Sequence, residues 1–358
     1  MILAGAVLGS FFNVGRGWTA ALIALIGFIF LIVGLAGFKK ELDQKGNSAL
    51  NLVFIAAIIG AVGALIALVP FAGIIARLFL IAAFVIKLIG YLQLKGSEAI
   101  GQEGRSGANL LTLSMIMLLI GFIFRFIPGI GGVFATIFAL VGLFFMVYGW
   151  LGVQKGYLGD TQVNAVSVSY ILAGMLIQVG ATAMSGWGAA VASLFGFIVF
   201  FTGLNKLKNT LDAKGSEAVQ LLIIAVFIGL GASVLDFIAS LTVTRDIYAI
   251  GAGIMAGSFA PSIFERIVSF IFIAAFVVQL IGYVKIKESE MLDISGQTGG
   301  TLLIIAAVLA VVANLFSGLF VIGGGFVAGI FGIGALFLVL FGWLGIQKSL
   351  AAKATPEA

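Results

Sequence analysis

Two polar stretches decide how this chain is read: KKELDQKGNSA at Lys39–Ala49 and KNTLDAKGSEA at Lys208–Ala218. Lys39, Leu42, Asp43, Lys45, Gly46 and Ala49 fall on Lys208, Leu211, Asp212, Lys214, Gly215 and Ala218, an offset of 169. Apolar helices resemble one another by composition alone, but a charged loop does not. Self-similarity at a fixed spacing is the signature of a repeated architecture. The match continues outward. ILAG at Ile2–Gly5 falls on ILAG at Ile171–Gly174, Gly17-Trp18 on Gly186-Trp187, and Gly27–Ile29 on Gly196–Ile198. Further along, the offset becomes 192, with Ile81–Val85 on Ile273–Val277 and Leu88–Tyr91 on Leu280–Tyr283. One more residue is gained before Trp150–Gly152 meets Trp343–Gly345. The step from 169 to 192 implies a 23-residue insertion in the second half, around Thr242–Ser262. The expected organisation is membrane repeat 1 over 1–157, membrane repeat 2 over 158–348 with the insertion at about 242–262, and a short tail at 349–358.

The segments between the polar loops are too apolar for water. Of 358 residues, 62% are hydrophobic and 9% charged, against roughly 25% charged in a soluble domain. The mean hydropathy is +1.27. A helix crosses ~30 Å of hydrocarbon in about 20 apolar residues. That ruler marks segments at 1–14, 17–37, 49–69, 73–94, 107–127 and 130–152, then at 164–184, 187–206, 217–240, 263–285, 298–320 and 322–346. The runs are apolar all round, unlike the alternating strands of a barrel. The expectation is an all-α, polytopic helical membrane protein with about 12 transmembrane segments in two parallel six-segment repeats. Segment 1–14 would reach only ~21 Å at helical rise. It lacks the basic start of a signal peptide.

Composition also excludes chemistry. The chain has no cysteine and no histidine, so disulfides, thiolate catalysis, Cys/His zinc sites, His-ligated haem and a Ser-His-Asp triad are all excluded. No pair of carboxylates occupies matched apolar positions. The glycine-rich stretch Gly101–Gly107 lacks the GK[ST] of a phosphate loop. No enzyme activity, cofactor, metal or nucleic-acid partner is expected. The expected partners are the lipid bilayer and a membrane-protein partner or a second copy of the chain.

The scarce charge carries an orientation. Thirteen of the nineteen basic residues lie on the side of the two quoted loops, among them Lys39, Lys95, Lys155, Lys208, Lys285 and Lys348. Only Arg16, Arg77, Arg125, Arg245 and Arg266 lie on the other. Positive-inside bias makes the loop side and the C-terminus cytoplasmic in a multi-pass protein of the cell membrane. Six segments per repeat insert both halves the same way up. Trp18 and Trp187 on one side, and Trp150 and Trp343 on the other, read as interfacial belts.

Three residues form the candidate intramembrane polar site: Lys87, Gln279 and Asp236. Lys87, in AAFVIKLIGY, is the basic residue that falls well inside a span. Its repeat partner is Gln279. Two readings stand. The long stem snorkels to the headgroups, or Lys87 and Gln279 face each other across the repeat axis and line a polar site. Asp236, in GASVLDFIASL, has Ala67 as its counterpart and reads as an ion-pair partner of Arg245 or Arg266, or as a proton or cation site. Arg125 reads as an interface anchor, and Glu265 as a helix-start acid. The GxxxG spacings Gly5/Gly9 and Gly325/Gly329 read as close helix packing. Ile247–Ala260, within the insertion, reads as a re-entrant or interfacial segment.

Each repeat resembles an uncharacterised membrane domain found mainly in archaea and some bacteria. The likeness lies in a glycine-bearing span running into a charged loop (GLAGFKKELDQKG, GLNKLKNTLDAKG) followed by spans such as AAFVIKLIGYLQLKG and AAFVVQLIGYVKIKE. It implies a six-segment helical unit and transfers no functional residue. The tandem pair departs from the single unit of that family. Together these readings lead to a non-enzymatic scaffold or accessory membrane protein. The alternative is a transporter or channel for a small or apolar solute, with its site between the repeats.

Overall fold

The computed structural model describes the backbone of residues 1–14, 17–69, 72–124, 127, 130–158, 163–181, 187–249, 263–319 and 324–354. Side chains are described for these except 10–14, 17–22, 73, 163–165, 187, 233, 236–249, 263–269, 272, 314–319, 324–330 and 354. Among the described residues every regular element is helical. The helices are α1 (Ile2–Val14), α2 (Gly17–Phe38), a 3₁₀ turn (Lys39–Glu41), α3 (Gln44–Ala67), α4 (Gly73–Leu94), α5 (Gly101–Phe124) and α6 (Gly131–Leu158). They continue with α7 (Val163–Ala181), α8 (Trp187–Lys208), α9 (Ala213–Ala249), α10 (Ile263–Lys287), α11 (Ile294–Leu319) and α12 (Gly324–Ala354). Each apolar segment of the sequence is thus one helix. The helices run further into the loops than the apolar ruler suggested. Gly101–Gly107, read as a loop, forms the first turns of α5.

Nine stretches among the described residues are long and apolar enough to cross a membrane: Ile23–Glu41, Gln44–Ala67, Ile74–Leu94, Gly101–Phe124, Gly131–Leu158, Gly188–Lys208, Ala213–Ala232, Ile294–Ala313 and Phe331–Lys353. Backbone groups in hydrocarbon must be satisfied within the element, which favours helices. The outward faces are apolar as well. Ile74 is 75% and Phe270 71% exposed, a surface that only lipid covers without cost. The protein is a polytopic helical membrane protein.

By packing, the chain divides into two compact units, Met1–Gly203 and Leu204–Ala358. In the first, α1 pairs with α2, α3 with α4, and α5 with α6, while α1 also meets α6 and α7. In the second, α9 pairs with α10 and α11 with α12. This division by packing falls inside α8 and not at the boundary near 157 expected from the sequence.

Glycine sets how closely the paired helices approach. The Gly27 backbone lies against Gly9 and Leu8, and Gly5 against Leu31. That is the small-residue packing expected of helices in lipid. Gly174 takes the same place against Phe200. A Cβ added to Gly90 would stand 2.7 Å from Val53 and 3.0 Å from the Ala49 carbonyl oxygen. On Gly282 it would meet Leu222 at 2.7 Å and the Ala218 carbonyl at 3.2 Å. On Gly107 it would stand 2.6 Å from the Val153 nitrogen, and on Gly299 3.0 Å from the Ile346 nitrogen. Ser114, buried between α5 and α6, donates to the Gly142 carbonyl at 2.7 Å.

A backbone cannot retreat as a side-chain tip can. We therefore expect Gly107→Ala to destabilise the protein by about 1–3 kcal/mol, the range for overpacking. Gly37→Ala, where nothing lies within 4 Å, should be neutral or slightly stabilising because alanine favours helix. Thermal unfolding of both variants in one detergent checks the contrast.

Candidate functional site

The quoted loops become two clasps of the same construction. Asp43 is the N-cap of α3, and its Oδ1 accepts the Gly46 N–H at 3.2 Å. Aspartate suits this place because the first N–H groups of a helix lack intrahelical acceptors. The same carboxylate bonds the α4–α5 turn, at the end of the helix paired with α3. Ser97 Oγ donates to Oδ1, and the Glu98 N–H donates to Oδ2 at 3.3 Å. In the second unit Asp212 Oδ1 accepts the Gly215 N–H at 3.2 Å and the Ser289 hydroxyl, and Oδ2 accepts the Glu290 N–H at 3.2 Å. Ser97 is fully buried and Ser289 nearly so. A hydrogen bond to a charged group is worth more than a neutral one.

A second corner is closed differently in the two units. Gly101 opens α5 at a φ of +57°, a left-handed conformation suited to glycine. Its counterpart Asp293 caps α11 instead. Asp293 Oδ1 accepts the Gly296 N–H at 2.9 Å, and the Asp293 N–H donates to Ser349 Oγ at 2.8 Å. Around these corners the loop charges pair at the surface, Lys155 with Glu103 at 2.6 Å and Lys214 with Glu290 at 3.2 Å.

Lys87 sits among neighbouring helices of its own unit. It is half-buried on α4 and lines a cavity of about 50 Å³ with Gly9, Phe28, Met115 and Met146, which belong to α1, α2, α5 and α6. Its Nζ lies 5.7 Å from the centre of the Tyr91 ring, at cation–π range. Tyr91 is fully buried and meets Trp150 edge-on, with centroids 5.9 Å apart. Gln279 makes the polar contact available to a neutral side chain, donating through Nε2 to the Tyr283 hydroxyl at 2.7 Å. Tyr283 meets Trp343 edge-on at 6.3 Å. Lys87 and Gln279 belong to different units, and each meets the tyrosine one turn on. Asp236 falls on α9, with its side chain outside the described residues. Arg125 lies outside them altogether, as do the side chains of Glu265, Arg245 and Arg266.

The tryptophans correct one expectation. Trp150 is 3% and Trp343 0% exposed. Both pack inside the helix bundle against tyrosine and are not belt residues. Their offset match reflects a shared core contact, whose edge-to-face geometry aromatic pairs favour. The side chains of Trp18 and Trp187 lie outside the described residues, as does most of Ile247–Ala260. Among the described residues no cluster of acidic side chains could hold a metal ion. No family model, curated protein or solved structure matches the chain.

The clasps carry a pH signature. The Ser97 hydroxyl, aided by the Glu98 and Gly46 N–H groups, holds Asp43 below the usual carboxylate range against the opposing effect of burial. For Asp212 burial is the largest single influence and pushes upward, but the Ser289, Glu290 and Gly215 donors together outweigh it. A carboxyl depressed in the folded state stabilises it above the unfolded value of about 3.9. That contribution is lost as pH falls through the folded value. The unfolding midpoint in detergent should therefore be flat from about pH 7 to 5 and fall below about pH 4. The Asp43→Asn/Asp212→Asn double variant should start lower and show a smaller acid-side fall.

Proposed function

We propose that the protein is a non-enzymatic scaffold or accessory component of a prokaryotic cell membrane. In this reading it is built from two parallel tandem repeats of six membrane segments, 1–157 and 158–348, the second carrying the insertion at about 242–262. The observation that carries the reading is the recurrence of interior contacts at the repeat offsets. The Asp43–Ser97 and Asp212–Ser289 clasps recur with the same donors and acceptors. So do the Tyr91–Trp150 and Tyr283–Trp343 pairs and the glycine contacts at 90 and 282. A shared ancestor for the halves explains why contacts recur when the apolar filling between them differs.

Scaffolding is supported by the kind of contact used. Helices held backbone to backbone at glycine and locked by carboxylate clasps are suited to keeping one shape. Such a body would present its exposed apolar faces to lipid and to a membrane-protein partner or a second copy. The lysine-rich ends, by their charge excess, would face the cytoplasm. A second reading, a transporter or channel for a small or apolar solute, has one observation in its favour. Lys87 faces an interior cavity, and an ionisable residue inside a membrane protein is often functional.

The absence of native cysteine makes the test direct. Single cysteines are placed at 87 and 279 and exposed to a membrane-impermeant thiol reagent from each side of the membrane in turn. The scaffold reading expects both to be protected from both sides. Labelling of either position from one side, blocked from that side by a solute, would replace scaffold with transporter.

A further inference from the structure

The first unit holds a cleft of about 340 Å³ between α4, α5 and α6. Its floor is made of small residues, Gly121, Ala135 and Ala139, and its walls include Phe84 and Phe122. It opens outward, since the lining residues Ile81, Leu119 and Phe122 are 47%, 42% and 40% exposed. Its volume and apolar lining with one polar group match a ligand pocket better than a flat lipid-facing surface. The polar group is Arg77, exposed in the second turn of α4. No described residue forms an ion pair or hydrogen bond with it.

Length and charge say what fits. On α4 the lining runs from Arg77 to Leu88, about 16 Å at 1.5 Å per residue. That is close to half of the ~30 Å hydrocarbon core, the depth of one leaflet. Arg77 stands at the end of the cleft nearer the membrane surface, where a headgroup would lie. A guanidinium stays charged and presents a fork of donors that suits phosphate oxygens. We propose that this cleft is a seat for one anionic phospholipid of the surrounding bilayer. One acyl chain lies over Gly121 and Ala139 between Phe84 and Phe122, and the phosphate is held by Arg77. A net-negative headgroup is selected because Arg77 brings a cation with no described protein counter-charge. The proposal does not depend on whether the protein is a scaffold or a transporter.

The test is native mass spectrometry of the full chain in a neutral detergent. Phosphatidylglycerol and phosphatidylcholine with the same acyl chains are added in equal amounts. One phosphatidylglycerol should be retained in preference to phosphatidylcholine. Arg77→Gln should reduce that preference about fivefold, as expected for losing one cation near an anionic lipid. Arg77→Lys should keep most of it. Ile81→Trp, which fills the cleft from an exposed position, should reduce retention of both lipids. Lys40→Gln, an exposed loop cation, should leave the preference unchanged. The proposal is overturned if phosphatidylglycerol shows no preference, if the preference survives Arg77→Gln, or if Ile81→Trp leaves retention of both lipids unchanged. It is equally overturned if Lys40→Gln lowers the preference as much as Arg77→Gln.

Discussion

A carboxylate that closes two turns at once is the interaction on which the rest of this structure depends. In each unit an aspartate caps the helix that follows it and accepts a hydroxyl and an N–H from a turn far away in the chain. Hydrocarbon gives helices little reason to choose one neighbour over another, because lipid is as apolar as the helices themselves. Directional contacts must therefore set the arrangement. The clasp supplies direction at the lysine-rich ends, and glycine supplies it along the helix lengths by admitting only backbones of matching shape.

The two devices divide the work. Gly107 against Gly149, and Gly299 against Gly342, fix how closely paired helices approach. Asp43 and Asp212 tie the start of α3 and of α9 to the turn that follows the paired helix, α4 or α10. Within that frame the polar interior positions are tolerated because each meets an aromatic partner. Lys87 lies over the Tyr91 ring, and Gln279 donates to the Tyr283 hydroxyl. The same tyrosines rest on Trp150 and Trp343. The polar–Tyr–Trp stack is therefore a common design with a charged variant in one unit and a neutral variant in the other.

Much of the fold was legible before any coordinates. Runs of about 20 apolar residues can only be helices if they are to cross hydrocarbon, and each run is one helix. The loop motif marked the correct aspartate as a repeated feature. It could not reveal the partner serine, because Ser97 and Ser289 lie 54 and 77 residues away in turns that share little beyond Ser-Glu. The helices outrun the apolar segments because a helix can continue through polar residues such as those of Gly101–Gly107, which the apolar ruler does not count. Trp150 and Trp343 were misplaced for a related reason. Position along a span says how deep a residue sits, but not whether it faces lipid or protein. Lys87 had the same ambiguity; the structure sets it beside a cavity that α1, α2, α5 and α6 line with it. The cleft beside Arg77 had no sequence signal, since it is composed only where the faces of three helices meet.

The most direct measurement of the central claim is a pair of double-mutant cycles on thermal unfolding, one for Asp43 and Ser97 and one for Asp212 and Ser289. Each uses asparagine for aspartate and alanine for serine. The account predicts a coupling of about 1–2 kcal/mol in both cycles, the size expected of a hydrogen bond to a charged group. Single-variant effects that simply add, in either unit, would contradict it.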